Sequence, residues 1–389
     1  MGYFIPQSAI NNLKNYKYQS EDHSLISQYV LGPFWRKTAT IFPRNMAPNL
    51  ITLSGFAFIL INDITVLYYD PTLTQSSPTW TFYSYALGLF LYQTFDACDG
   101  LHARRIGQSG PLGELFDHCI DSINTTLSML PFCSAFKMGY TWLFPLLQFG
   151  LLLNFYLSTW EEYYTQKLYL SSFSGPVEGI LSITILFLLK GLFGFEIPWH
   201  LPLIQLGTIT VEFVCFIYIL VGIAIAFNVY TSIKNVQSYY DNHTTSDPTN
   251  TNNSAIIQNQ QVGLVPFIGF YVSIMLLILV DQRIINLPFI LMSGLIIAFM
   301  VGRIIVAHLT LQPFPTMGLV SYIPLFQLGL YKILISYYKL DSNLVIMMLT
   351  GCGFGLALGI HAMFINEVIY EFTTYLDVYA LSIKHPKNV

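Results

Sequence analysis

Runs of about twenty apolar residues recur about ten times along this chain, at 49–69, 80–104, 111–136, 140–160, 176–194, 206–232, 263–281, 286–308, 319–338 and 343–370. A helix of that length crosses the hydrocarbon core of a bilayer. The runs therefore predict an all-α, polytopic membrane protein with about ten transmembrane helices. Composition agrees: 54% of residues are hydrophobic and 10% charged, against about 25% charged in soluble domains. A net charge of −4 is too small to indicate a nucleic-acid partner.

The runs divide the chain. Residues 1–47 read as a cytosolic or interfacial arm, in which Trp35, Arg36, Lys37, Phe42 and Arg44 suit an interfacial helix lying on the headgroups. Residues 48–235 form a transmembrane core, 236–262 a polar cytosolic loop, 263–370 a C-terminal helical set suited to a lipid groove or dimer contact, and 371–389 a cytosolic tail. Basic residues orient the whole. If ten spans alternate, Lys14, Lys17, Arg36, Lys37, Arg44, Arg104, Arg105, Lys167, Lys234, Lys384 and Lys387 share one side. Lys137, Lys190, Arg283, Lys332 and Lys339 fall opposite. That excess places both termini in the cytosol. The sequons at Asn124, Asn242 and Asn252 then face the cytosol or the membrane and read as chance matches. Five cysteines scattered through apolar runs carry no metal spacing and no disulfide framework.

One segment breaks the apolar pattern. Asp96, Asp99, Gly100, Ala103 and Arg104 close the second span, and Gly113, Glu114, Asp117, His118 and Asp121 open the third. Ionisable groups in a membrane segment are costly and mark function. At about 100° per residue, Asp96, Asp99, Gly100 and Ala103 share one sector of their helix. Glu114, Asp117, His118 and Asp121 share one sector of the next. Gly107, Gly110 and Pro111 break the chain between them, so a helical hairpin can bring the two carboxylate stripes together. Four aspartates exceed the need of one Mg²⁺ and suit two ions bridging a diphosphate. Gly100 and Gly113 would let a nucleotide approach the backbone, and Arg104 can grip a phosphate oxygen. The i, i+4 pair Glu114 and His118 would let a carboxylate orient an imidazole base.

The spacing D-x2-D-G-x2-A-R-x8-G-x3-D-x3-D from Asp96 to Asp121 resembles the signature of CDP-alcohol phosphotransferases. Asn45-Met-Ala-Pro48-Asn49, Trp160-Glu161-Glu162, Gly175-Pro-Val-Glu178-Gly179 and Leu376-Asp-Val-Tyr-Ala-Leu-Ser-Ile-Lys384 are similar to the fungal choline- and ethanolamine-phosphotransferase branch. The resemblance spans nearly the whole chain. It implies the CDP-alcohol phosphotransferase fold, a donor of CDP-choline or CDP-ethanolamine, a diacylglycerol acceptor, Mg²⁺ or Mn²⁺ (two ions), a homodimer, and endoplasmic reticulum or Golgi membranes. It implies Asp96, Asp99, Asp117 and Asp121 as metal ligands, and Gly100, Ala103, Arg104, Gly113 and Asn49 around the CDP. His118 is the expected base with Glu114 as its orienter, and Asp121 the alternative. A carboxylate that binds cations loses basicity, whereas a neutral imidazole keeps it.

Trp160, Glu161, Glu162, Tyr163 and Glu178 could receive a quaternary ammonium through rings and charge. An interfacial aromatic belt or helix-end stabilisation would explain the same residues. Asp63, Glu212, Arg303, His308 and Glu367 are expected to be partnered structural groups. An ion-coupled transporter would place acids at a midplane site between broken helices. Here the acids cluster at one membrane face. A CDP-diacylglycerol-dependent synthase shares the signature, but this chain is longer than those usually are, and the Trp160-Glu161-Glu162 and Gly175-Pro-Val-Glu178-Gly179 matches favour the other branch.

Overall fold

Proline at the first or second helical position sets where many of the helices begin, because the missing N–H is unpaired there anyway. Pro48, Pro111, Pro176, Pro266, Pro288 and Pro324 all stand there. The computed structural model describes residues 2–16, 20–22, 24–170, 175–206, 209–244, 261–315 and 318–386. In chain order its helices are α1 (Gln7–Ile10), α2 (Gly32–Thr38), α3 (Pro48–Tyr69), α4 (Thr79–Arg105), α5 (Pro111–Leu127), α6 (Met129–Ala135) and α7 (Leu143–Thr165). There follow α8 (Pro176–Phe193), α9 (Phe213–Thr244), α10 (Val265–Val280), α11 (Leu287–Thr310), α12 (Ile323–Lys332) and α13 (Ser342–Leu376). Among the described residues, eight helical segments are long and apolar enough to cross a membrane. The acid-bearing α4 and α5 are not among them, because α5 spans only 17 residues and the polar and acidic side chains of α4 lower its hydropathy. The chain is a polytopic all-α membrane protein.

Burial sorts the helices. The apolar window of α11 is 83% buried and that of α9 only 6%, so α11 is the central post and α9 is peripheral. α11 packs on α5, α7 and α13; α3 and α8 pack on α4; α9 lies against α7. Gly294 of α11 sets the crossing with α5, where an added Cβ would stand 2.8 Å from Thr126 Cβ. Small residues let membrane helices approach this closely. Gly294→Val should cost about 1–3 kcal/mol through overpacking. Thermal melting in detergent should show a lower midpoint than wild type.

The arm ties one end of the bundle together. Asn12 Nδ2 donates to the Thr310 carbonyl at 2.7 Å, and the Phe4 amide donates to Glu367 at 2.7 Å. Residues 20–22 (β1) pair in parallel with 168–170 (β2). Arg105 donates to the Ala39 and Phe42 carbonyls at 2.7 and 2.6 Å. The C-terminal ends of α4, α7, α11 and α13 thus lie at the same face as the arm. That is the parity ten alternating spans require.

Several boundaries differ from the sequence expectation. The run 111–136 is two helices joined at Ser128. Pro131 has no N–H for the Leu127 carbonyl, so an unbroken helix would lose that bond. The run expected from 206 begins as a helix only at Phe213, after an antiparallel hairpin of β3 (Pro202–Leu206) and β4 (Ile209–Glu212). Ile204, Ile209, Thr210 and Val211 are β-branched and favour that pleated pairing. The expected polar loop 236–262 is helical through Thr244, held where Asn235 donates to Glu161 at 2.7 Å. Asn252 lies outside the described residues. Asn124 is buried, and its side chain accepts the Ser128 hydroxyl at 2.6 Å. The last helix runs to Leu376 rather than 370. The five cysteines are unpaired.

Candidate active site

The hairpin of α4 and α5 turns on Gly107, whose φ of +66° is left-handed and suits glycine. The Gln108 amide closes the end of α4 by donating to the Ala103 carbonyl at 2.8 Å. Pro111 then starts α5. The carboxylate stripes meet as their periodicity requires. One oxygen each from Asp96, Asp117 and Asp121 lie within 4.8 Å of one another. Asp121 accepts the Tyr92 hydroxyl, and Asp99 accepts the Thr52 hydroxyl from α3. Asp96 Oδ1 and Asp117 Oδ1 are buried with no hydrogen-bond partner. Clustered buried carboxylates are costly unless cations compensate them. The all-oxygen donor set and the orphaned oxygens fit hard divalent ions.

These groups line a chamber of about 1940 Å³. Asp96, Asp99, Gly100, Ala103, Arg104, Gly113, Glu114, Asp117, His118, Asp121 and Asn49 all face it. Nothing in the protein demands glycine at two of these positions. A Cβ at Gly100 would meet only Arg104, at 3.5 Å, and one at Gly113 only Asn49, at 3.9 Å. The space they leave open is available to a ligand. Arg104 is exposed at the rim. Asn49 is buried and donates to the Ala380 carbonyl at 3.0 Å. Gln108 donates to the His385 carbonyl at 2.8 Å. The tail from Val378 to His385 is thereby drawn over the chamber as one wall.

The expected Glu114–His118 pair is not hydrogen-bonded. Glu114 Oε2 accepts the Tyr16 hydroxyl from the arm, while Oε1 lies 3.9 Å from His308 Nε2. His118 Nδ1 is buried without a partner. An i, i+4 pair can meet along a helix, but Tyr16 and His308 compete for the same carboxylate from outside it.

The expected headgroup residues divide. Glu161, Glu162 and Glu178 line the chamber; Trp160 and Tyr163 do not. Trp160 is buried, with its ring 5.5 Å from that of Tyr164. Tyr163 donates to the Gln312 carbonyl at 2.8 Å. Those rings point away from the chamber: Tyr163 fastens α7 to the segment after α11, and Trp160 packs beside Gly263. Glu178 accepts the Ser24 hydroxyl. Among the described residues, none from 263 to 370 lines the chamber. The apolar wall comes instead from Leu151, Phe155, Ile180, Ile183 and Phe227 on α7, α8 and α9.

The C-terminal tail, quoted above for its family likeness alone, had no expected place in the site, and Tyr92, Thr52 and Tyr16 are site residues the sequence did not single out. Tyr92 stands one helical turn before Asp96, so periodicity could have found it. The others arrive from distant segments and carry no local signal. His308, expected as a structural group, stands behind Glu114.

The sequence profile described as CDP-alcohol phosphatidyltransferase matches residues 45–233. Cholinephosphotransferase 1 of Saccharomyces cerevisiae is 53% identical over 393 residues, covering 100% of both chains. Choline/ethanolaminephosphotransferase 1 of the same yeast is also 53% identical over 393 residues, covering 100% of both. Choline/ethanolaminephosphotransferase 1 of Arabidopsis thaliana is 32% identical over 414 residues, covering 98% of this chain and 99% of its own.

Proposed function

Since the chain belongs to the CDP-alcohol phosphotransferase family, we propose that it transfers phosphocholine from CDP-choline to the hydroxyl of diacylglycerol, giving phosphatidylcholine and CMP. The observation that carries this reading is the convergence of Asp96, Asp117 and Asp121 within 4.8 Å beside an open glycine floor. Asp96, Asp117 and Asp121, with Asp99 beside them, would hold Mg²⁺ or Mn²⁺. Such ions stabilise charge on the attacking and leaving oxygens of an in-line displacement. Arg104 at the rim receives a phosphate oxygen, and Gly100 and Gly113 admit the nucleotide. Ala103 and Asn49 complete that wall. His118 takes the proton of the diacylglycerol hydroxyl as its oxygen bonds to the phosphorus bearing choline. The bond from that phosphorus to the CMP oxygen breaks.

Diacylglycerol is confined to the bilayer, so it approaches sideways, and the apolar wall of α7, α8 and α9 suits its acyl chains. Glu161 and Glu178 supply negative charge for a cationic headgroup. The excess of Lys and Arg on the arm's side supports a cytosolic chamber, where a water-soluble nucleotide donor is available. The proposal extends, as the resemblance implies, to an endoplasmic reticulum or Golgi membrane and a homodimer.

CDP-ethanolamine is the second reading, because a relative whose name includes both alcohols is as similar as the one named for choline alone. The test is the protein in vesicles with diacylglycerol, Mg²⁺ and each CDP-alcohol in turn. Phosphatidylcholine should form, and chelation should stop it. Equal turnover of CDP-ethanolamine would make the enzyme dual, and no product from either would overturn the proposal.

A further inference from the structure

Three residues far apart in sequence form a second group of donors outside the aspartate cluster. Glu114 of α5, Glu162 of α7 and His308 of α11 each place one ligand atom within 4.8 Å of the others. Both glutamates are buried: Glu114 is 9% exposed and Glu162 5%. Glu114 Oε1 is buried without a hydrogen-bond partner and faces His308, and His308 Nδ1 also lacks a partner. The group shares no residue with Asp96, Asp117 and Asp121, and it differs in kind, since one donor is nitrogen.

Two carboxylates this close in a buried wall repel, and a neutral imidazole cannot compensate them. A single divalent ion brings the sum of the three side chains and the ion to zero. Size selects the ion. Metal–oxygen and metal–nitrogen bonds of about 2.0–2.2 Å put donors at most about 4.4 Å apart. The observed spread needs only small side-chain rotations to close. Imidazole among carboxylates favours first-row transition ions over Mg²⁺. The Tyr16 hydroxyl, donated to the other oxygen of Glu114, would fix that ligand's orientation.

The geometry points to a separate cation site, made by Glu114, Glu162 and His308, that takes one transition-metal ion such as Mn²⁺ or Zn²⁺. It would join the ends of α5, α7 and α11 three residues before Asp117. Its existence does not depend on the transferase reading.

Mn²⁺ alone, added to the full-length protein in detergent without nucleotide, is the probe. Electron spin-echo spectroscopy should show nitrogen coupling from a bound imidazole. The coupling should persist in Asp117→Asn and in His118→Ala. His308→Ala should remove it, and Glu162→Gln, which preserves side-chain size, should weaken Mn²⁺ binding at this site at least about tenfold. Bound Mn²⁺ without nitrogen coupling in the wild-type protein would overturn the site, as would coupling that survives His308→Ala. If His308→Ala does not fold, unchanged Mn²⁺ affinity of the nitrogen-coupled ion in Glu162→Gln would overturn it equally. Failure of the aspartate site would show separately, as unchanged nitrogen-free Mn²⁺ binding in Asp117→Asn.

Discussion

Replacing His118 with alanine should lower kcat about 10³-fold, in the range general-base catalysis contributes, and leave CDP-choline affinity within about twofold. His118 faces the chamber one residue after Asp117 and has no hydrogen-bond partner at Nδ1. Its loss removes a proton acceptor and leaves the aspartate cluster and glycine floor in place. Equilibrium binding of labelled CDP-choline, measured beside single-turnover transfer, separates the two effects. The competing base is Asp121, but its carboxylate already accepts the Tyr92 hydroxyl and belongs to the three-acid cluster. A carboxylate engaged by a donor and a cation is a poor proton acceptor. Full activity in His118→Ala would nevertheless move the role to Asp121.

Asp117→Asn should abolish metal-dependent nucleotide binding, with Mg²⁺ affinity falling by about 100-fold or more, beyond what loss of a supporting hydrogen bond costs. Asp117 Oδ1 has no hydrogen-bond partner, so the substitution breaks no bond there. It also removes one of three mutually repelling charges within 4.8 Å. The metal-free variant should therefore melt no lower than the metal-free wild type, although it has lost the site. A calorimetric Mg²⁺ titration in the presence of CDP-choline gives the first result, and thermal melting in chelator the second. Unchanged Mg²⁺ affinity would remove Asp117 from the ligand set.

The acidic hairpin was legible in the sequence because both of its halves obey one rule. Residues three and four apart on a helix share a face, so Asp96 with Asp99 and Asp117 with Asp121 had to form stripes. Gly107 and Pro111 had to break the chain between them. The opposite case is Glu114. Spacing predicts a partnership with His118, and the fold gives it Tyr16 and His308 instead. Trp160 and Tyr163 fail likewise: the sequence puts rings beside two glutamates, and helix rotation turns the rings away from the chamber.

By itself, the sequence determined that the chain is a bundle of membrane helices, where most of them begin and end, and that α4 and α5 carry converging acids. Those features depend on apolar run length, on proline's missing donor and on helical period, all of which act over a few residues. Tertiary structure alone decided that Thr52 holds Asp99, that residues from 378 to 385 wall the chamber, that α7, α8 and α9 supply its apolar side, and that His308 meets Glu114 and Glu162. Each of those contacts joins residues dozens to hundreds apart, and its geometry is set by how helices rotate and cross when packed, which no local pattern encodes.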